Sequence, residues 1–280
     1  YRHDLASKHD IPAENAFETW QQLALHHAKL ADAVIISTQD AMHVAPALAL
    51  IEKGYDVLLE KPMAPTRQEC EKVVEAVVSK QVIFGVCHVL RYTPYTHKLK
   101  QVIDSGLIGE VVSIQHLEPI GFDHFAHSFV RGNWRNENES NFMLMTKACH
   151  DMDWLRYIVG SKVNKVSSFG NLKYFKSDNK PIGAGDKCVD CVCESTCPYS
   201  AIKIYFERVK AGHRHWPVNT ITSDVTIAGV QQAIQSGPYG RCVYHCDNDV
   251  VDHQVVNMEF ESGATGVFTV TAFSEMRARQ

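Results

Sequence analysis

Three short apolar runs, 33–38, 56–60 and 81–86, alternate with stretches of helical pattern, and this alternation constrains the fold more than any other feature. A brief apolar run closed by small hydroxyl residues (Ser37, Thr38), or by Pro62, reads as a strand buried on both faces of a parallel sheet. Between the runs, residues 18–30 carry Trp20, Leu23, Leu25 and Leu30 among polar neighbours, and 43–53 stop at Gly54. Residues 66–79 open with Thr66 as a cap and Glu69 as its capping-box partner. Strand, helix and strand at this spacing dictate right-handed crossovers, so the first part of the chain is α/β.

Beyond about residue 110 the texture changes. Alternating patterns occupy 111–117, 163–175, 241–245, 250–260 and 264–272, with Glu261, Ser262 and Gly263 as a hairpin turn between the last two. One helix, 146–159, ends at Gly160. Several strands with few helices predict an antiparallel sheet and an α+β second part. The expected domains are therefore 1–88 and 89–280. A Gly-, Pro- and Lys-rich loop, 176–186, leads into a cysteine-rich insertion at 186–200.

Composition narrows the function classes. Of 280 residues, 45% are hydrophobic and 21% charged, enough for a packed core. The net charge of −4 offers no basic surface for a nucleic-acid backbone. No apolar run approaches the ~18 residues of a membrane span. Nine cysteines that are partly clustered and partly inside apolar segments do not resemble a disulfide framework, which points to a reducing, cytoplasmic setting. The text opens on Tyr1 within a helical pattern and closes within a strand pattern, so it reads as a piece lacking both ends.

Two elements carry candidate chemistry. Glu60, Lys61 and Pro62 follow the second strand, at the sheet end where open α/β folds bind ligands, and the X-Pro bond can be cis and so aim the lysine. The plain alternative is a surface lysine in a turn. On the long helix, Lys147, His150 and Asp151 fall within about one turn, and His150 lies one turn from Thr146. The plain alternative there is a satisfied core histidine.

These pieces resemble the Gfo/Idh/MocA oxidoreductase family in order and spacing. The resemblance is carried by residues 36–43 (ISTQDAMH), 47–50 (ALAL) and 54–62 (GYDVLLEKP), then Arg91 to Pro94, 106–110 (GLIGE), Trp134 with Arg135, and 149–153 (CHDMD). It implies a Rossmann-type NAD(P) domain followed by an antiparallel-sheet domain that often assembles dimers or tetramers. It implies that Ser37, Thr38, His43, Glu60, Lys61, Pro62, Trp134 and Arg135 line the cofactor, and that Lys61 and His150 are catalytic. Arg91, Tyr92, Thr146 and Lys147 become candidate substrate residues. The family's Gly-rich phosphate loop and its NAD-or-NADP selector would precede Tyr1.

One departure matters. Many sugar and inositol dehydrogenases of the family carry Asp four residues before the histidine, whereas this chain has Thr146 and then Lys147. An anionic substrate group held by Lys147 is one consequence. Cys188, Cys191, Cys193 and Cys197 offer soft ligands for a structural zinc or an iron–sulfur centre. Their spacing fits neither bacterial ferredoxins nor a two-knuckle zinc site, so reduced thiols or a local disulfide remain alternatives. His124, His127, His245 and His253 invite a metal reading too, but pocket-lining or solvated strand positions account for them.

The leading expectation is an NAD(P)-dependent dehydrogenase of a sugar- or polyol-like hydroxyl. A redox-neutral glycosidase that retains NAD, and a non-catalytic sugar or dinucleotide sensor, are the alternatives. No nucleic-acid or membrane partner is expected.

Overall fold

In the computed structural model, which describes residues 2–275 and 278–280, strands β1 (Ala33–Ile36), β2 (Asp56–Leu59) and β3 (Phe84–Val86) lie side by side in that order. Both pairings are parallel, Ala33 opposite Asp56 and Val57 opposite Phe84. Helices α1 (Arg2–Lys8), α2 (Trp20–Leu25), α3 (Val44–Glu52) and α4 (Arg67–Lys80) complete this unit, which spans residues 1–88. Thr66 caps α4: its Oγ1 accepts from the Glu69 amide at 3.3 Å and donates to the Glu69 carboxylate at 2.8 Å. Gly54, at φ +83°, turns the chain out of α3 into β2, a conformation that favours glycine. Helix α2 is shorter than expected. The Lys53 ammonium takes the carbonyls of Leu23 and Ala24, closing the helix from outside. Ile36, Leu50, Ile51, Val57, Leu59 and Val73 form the core.

The second unit, residues 89–280, holds a four-stranded sheet in the order β4 (Ser113–Gly121), β7 (Thr265–Ser274), β6 (His253–Phe260) and β5 (Val163–Asn171). Strands β5, β6 and β7 pair antiparallel, but β4 runs parallel to β7. The sheet is therefore mixed, not antiparallel throughout. Alternation reports which face a residue takes and is the same in either chain direction, so the pattern could not show this.

Helix α5 (Pro94–Asp104) precedes the sheet, and α6 (Cys149–Val159) packs Trp154, Leu155 and Ile158 into a core shared with Ile120, Val256, Phe260, Phe268 and Val270. The helix expected from residue 146 starts at Cys149, because Met143–Thr146 forms its own turn and Ala148 leaves helical geometry. Gly160, at φ +71°, ends it as expected. Residues 241–245 form no strand. They make a single bridge, Lys187 with Arg241, and then a turn from the His245 amide to the Cys242 carbonyl. Cys242, Val243 and Tyr244 are buried in a row, so the segment does not alternate between two faces. Helix α7 (Ile227–Ser236), with Val230 and Ile234 inward, lay outside the sequence reading. Among the described residues no helix is long and apolar enough to cross a membrane.

Candidate active site

At the carboxyl ends of β1 and β2 the chain presents Ser37, Thr38, Glu60 and Lys61. Ser37 and Thr38 are exposed, and Glu60 and Lys61 are half-buried. The Lys61–Pro62 bond is cis. The amide of Lys61 donates to its neighbour's carboxylate, Glu60 Oε2, at 3.2 Å. Thr38 Oγ1 donates to the Met42 carbonyl at 3.1 Å, leaving its oxygen free to accept.

The resemblance places His43 at the cofactor, and its ring here meets backbone carbonyls. It is fully buried, with Nδ1 2.7 Å from the Pro62 carbonyl and Nε2 3.0 Å from the Thr38 carbonyl. It ties the two strand-end loops together from beneath. Cys87, the residue after β3, completes this rim. Burial and then the nearby Glu60 charge push its thiol up. Cys87 is one of the thiols in an apolar segment, and its place directly after the 81–86 run is the signal in the sequence for a strand-end position.

In the second unit, His150 is the second residue of α6 and is half-buried. The next residue, Asp151, is fully buried and anchors a charged network beneath the helix start. Its Oδ1 is 2.8 Å from His116 Nε2 and 2.6 Å from Arg279 Nε. Glu118 joins, 3.0 Å from Arg279 and 3.0 Å from Lys147. Burial pushes the Asp151 carboxyl up, but hydrogen bonds from His116 and Arg279 win and hold it below the usual carboxylate range. Two acids thus meet three basic side chains, and the His116 ring stacks on Trp154 at 4.7 Å.

The candidate substrate residues divide. Lys147 is bound to Glu118, and Thr146 is buried with Oγ1 3.4 Å from the Phe142 carbonyl. Neither stands in for the carboxylate common at this place in the family. Arg91 grips Asp153 with two bonds of 2.6 Å and lies 4.8 Å over the Tyr157 ring, fixing the entry of α5 to α6. Tyr92 is exposed. Arg135 is held by Asp247 at 2.9 Å and Glu139 at 2.8 Å, while Trp134 packs 6.2 Å from the Phe129 ring.

Cys188, Cys191, Cys193 and Cys197 are all free thiols, as is Cys242. The structural zinc expected at the first four is not supported: among the described residues no three Cys, His, Asp or Glu side chains are placed to hold one metal ion. Their sulfurs are spread apart instead. Cys191 Sγ accepts from the Gly185 amide at 3.4 Å, Cys188 Sγ from Arg131 at 3.4 Å, and Cys193 Sγ points to the Ile182 carbonyl at 3.8 Å.

Residues 2–88 match a family model described as the oxidoreductase family with an NAD-binding Rossmann fold, and residues 96–189 match the GFO/IDH/MocA C-terminal domain. The chain belongs to the Gfo/Idh/MocA family. The protein named "Putative oxidoreductase YteT", of Bacillus subtilis (strain 168), is 27% identical over 238 residues, covering 83% of this chain and 53% of that protein. A 2,7-anhydro-N-acetylneuraminate hydratase of Mediterraneibacter gnavus is 25% identical over 166 residues, covering 59% of this chain and 42% of its own. The apo form of levoglucosan dehydrogenase matches in fold, with a TM-score of 0.64 at 20% identity over 99% of this chain and 57% of that one. The chain spans about a third to a half of the length of the curated relatives it matches.

Proposed function

We propose that this Gfo/Idh/MocA chain belongs to an NAD(P)-dependent enzyme that moves hydride between a sugar- or polyol-like hydroxyl and the nicotinamide. The observation that carries the reading is Lys61, held between Glu60 and a cis proline at the carboxyl end of a parallel strand. Exposed Ser37 and Thr38 beside it are small enough for a flat cofactor to reach the backbone, so the residues present suit a dinucleotide. Ser37, Thr38, Glu60 and Lys61 would hold it, with His43 as a positioning residue. Family resemblance adds Pro62, Trp134 and Arg135. When bound, the nicotinamide accepts or returns the hydride. Lys61 hydrogen-bonds and orients the substrate hydroxyl. His150 Nε2 takes the hydroxyl proton, and the ion network under Asp151 keeps the start of α6 from shifting.

A redox-neutral enzyme that keeps NAD bound is the second reading. It is favoured by the absence of a carboxylate at Thr146 and by likeness to a hydratase. A sugar, polyol and glycoside panel, followed by nicotinamide absorbance with NAD and NADP in turn, separates the two. We expect Lys61→Ala and His150→Ala each to lower kcat by about 10²–10⁴. Undiminished turnover in both variants would sink the assignment. Product formation without net absorbance change would move it to the second reading. A reducing, cytoplasmic setting and a homodimer or homotetramer complete the proposal.

A further inference from the structure

The second unit contains a cavity of about 260 Å³ that the proposed hydride chemistry does not use. Its wall carries Cys188, Cys191, Cys193, Cys197 and Cys242. Four come from one loop. The fifth is delivered by a distant segment, docked by the Cys242 amide on the Asp186 carbonyl at 2.8 Å and by the Lys187–Arg241 bridge. The volume is several times the ~30 Å³ share of one water, so the thiols surround a space and do not meet at a point.

Arg131 supplies an independent sign that something anionic belongs there. It lines the same cavity at 1% exposure, and a guanidinium stays charged. Its Nε donates to the Arg241 carbonyl at 2.7 Å, and Nη2 to the Tyr199 carbonyl at 2.7 Å and to Cys188 Sγ at 3.4 Å. Among the described residues, Nη1 has no hydrogen-bond partner and no carboxylate pairs with the group. Glu194, the one carboxylate on the wall, is engaged by the Ser200 hydroxyl. A buried cation left in this way costs several kcal/mol unless a negative charge faces it. The groups on this wall able to provide that charge in number are thiolates.

A zinc ion would need sulfurs converging at about 2.3 Å from one centre, which these do not. An iron–sulfur cluster of the four-iron type takes one thiolate at each of four corners, so its ligands stand apart around a central body. Cys193, turned to the Ile182 carbonyl, is the thiol left over. Amide and guanidinium donors to sulfur are among the groups that set such a cluster's properties. We propose that Cys188, Cys191, Cys197 and Cys242 ligate a four-iron iron–sulfur cluster in this cavity, with Arg131 and the Gly185 amide donating to its thiolate sulfurs. Each of the four thiols gives up its proton on binding. The cluster cross-links the 186–200 loop to the segment that carries Cys242.

The test uses the full-length protein, purified without oxygen and reconstituted with equal parts of ferric and ferrous iron and with sulfide, which matches the oxidation level of the resting cluster. Iron, acid-labile sulfide and zinc are counted per chain, and visible charge-transfer absorption and the reduced EPR spectrum are recorded. The expected result is about four irons and about four sulfides per chain. Cys242→Ser should lose most of both, and Cys193→Ser should keep them. Zinc in place of iron, no metal after reconstitution, or full iron retention by Cys242→Ser would each overturn the proposal. If Cys242→Ser fails to fold, the count on the native chain decides. None of these readouts depends on turnover, so the outcome is separate from that of the dehydrogenase reading.

Discussion

His127 shows how setting controls a single side chain. Burial, then the Arg131 charge, lowers its imidazole to about 4, with Arg208 adding to the effect and Asp123 opposing it. The neutral ring fits its partner, since the Tyr205 hydroxyl lies 2.9 Å from Nδ1 and can donate to it. Once unfolded, the ring titrates near 6.5. Between about pH 6.5 and about 4 the unfolded chain therefore binds a proton that the folded chain refuses, and stability falls as the pH drops through that window. Above it the contribution is complete. Denaturant midpoints measured from pH 7 to pH 4 should fall by an amount worth about 2–3 kcal/mol, and His127→Gln should flatten most of that slope. A slope unchanged by the substitution would place its cause elsewhere.

At the scale of elements, Asp252 fixes the exit of β5 and the entry of β6. It is buried, and Oδ2 accepts from the Lys173 and Tyr174 amides at 2.9 and 2.6 Å. Its own amide donates to Asn171 at 3.0 Å, and its carbonyl accepts from Ala272 at 3.0 Å. Removing the carboxylate strands two backbone donors, so Asp252→Ala should cost about 3 kcal/mol in an unfolding titration, and Asp252→Asn less. Features that act within a few residues were legible beforehand: Thr66 with Glu69, the stop at Gly160 and the turn at Gly263 all follow from local rules. The direction of β4 was not, because alternation has no sign. Nor were the partners of Lys147 and Asp151. Glu118 and Arg279 reach them only after the sheet has formed, and no spacing rule links positions so far apart. Cys242 is the same case on the cavity wall: the loop cysteines announced themselves by proximity, and the fifth did not.

For the molecule as a whole, an unfinished surface is the face of the four-stranded sheet toward its β5 side. Every residue of β5 is exposed, including Val166 at 65% and Phe169 at 74%. Phe169 pairs with Val255, which faces Thr269 and, one strand further, Leu117, so an apolar-leaning row crosses the sheet. An open, partly apolar edge strand invites association, and blunting charges are sparse: Lys165 is the one charged residue on β5, and it is paired with Glu259 at 3.0 Å. The occupant we expect is a second copy of the chain, laid sheet against sheet and burying about 800 Å² on each partner. Light scattering on the full-length protein should then give a dimer or tetramer. Phe169→Glu, which places a carboxylate where the two sheets meet, should shift the mass toward monomer by weakening the association at least about tenfold, the effect of one poorly compensated charge at an interface. Folding should be unaffected, because the side chain is solvated in the single chain. A native chain that runs as a monomer, or a Phe169→Glu chain that keeps its assembly, would remove the sheet face from the interface.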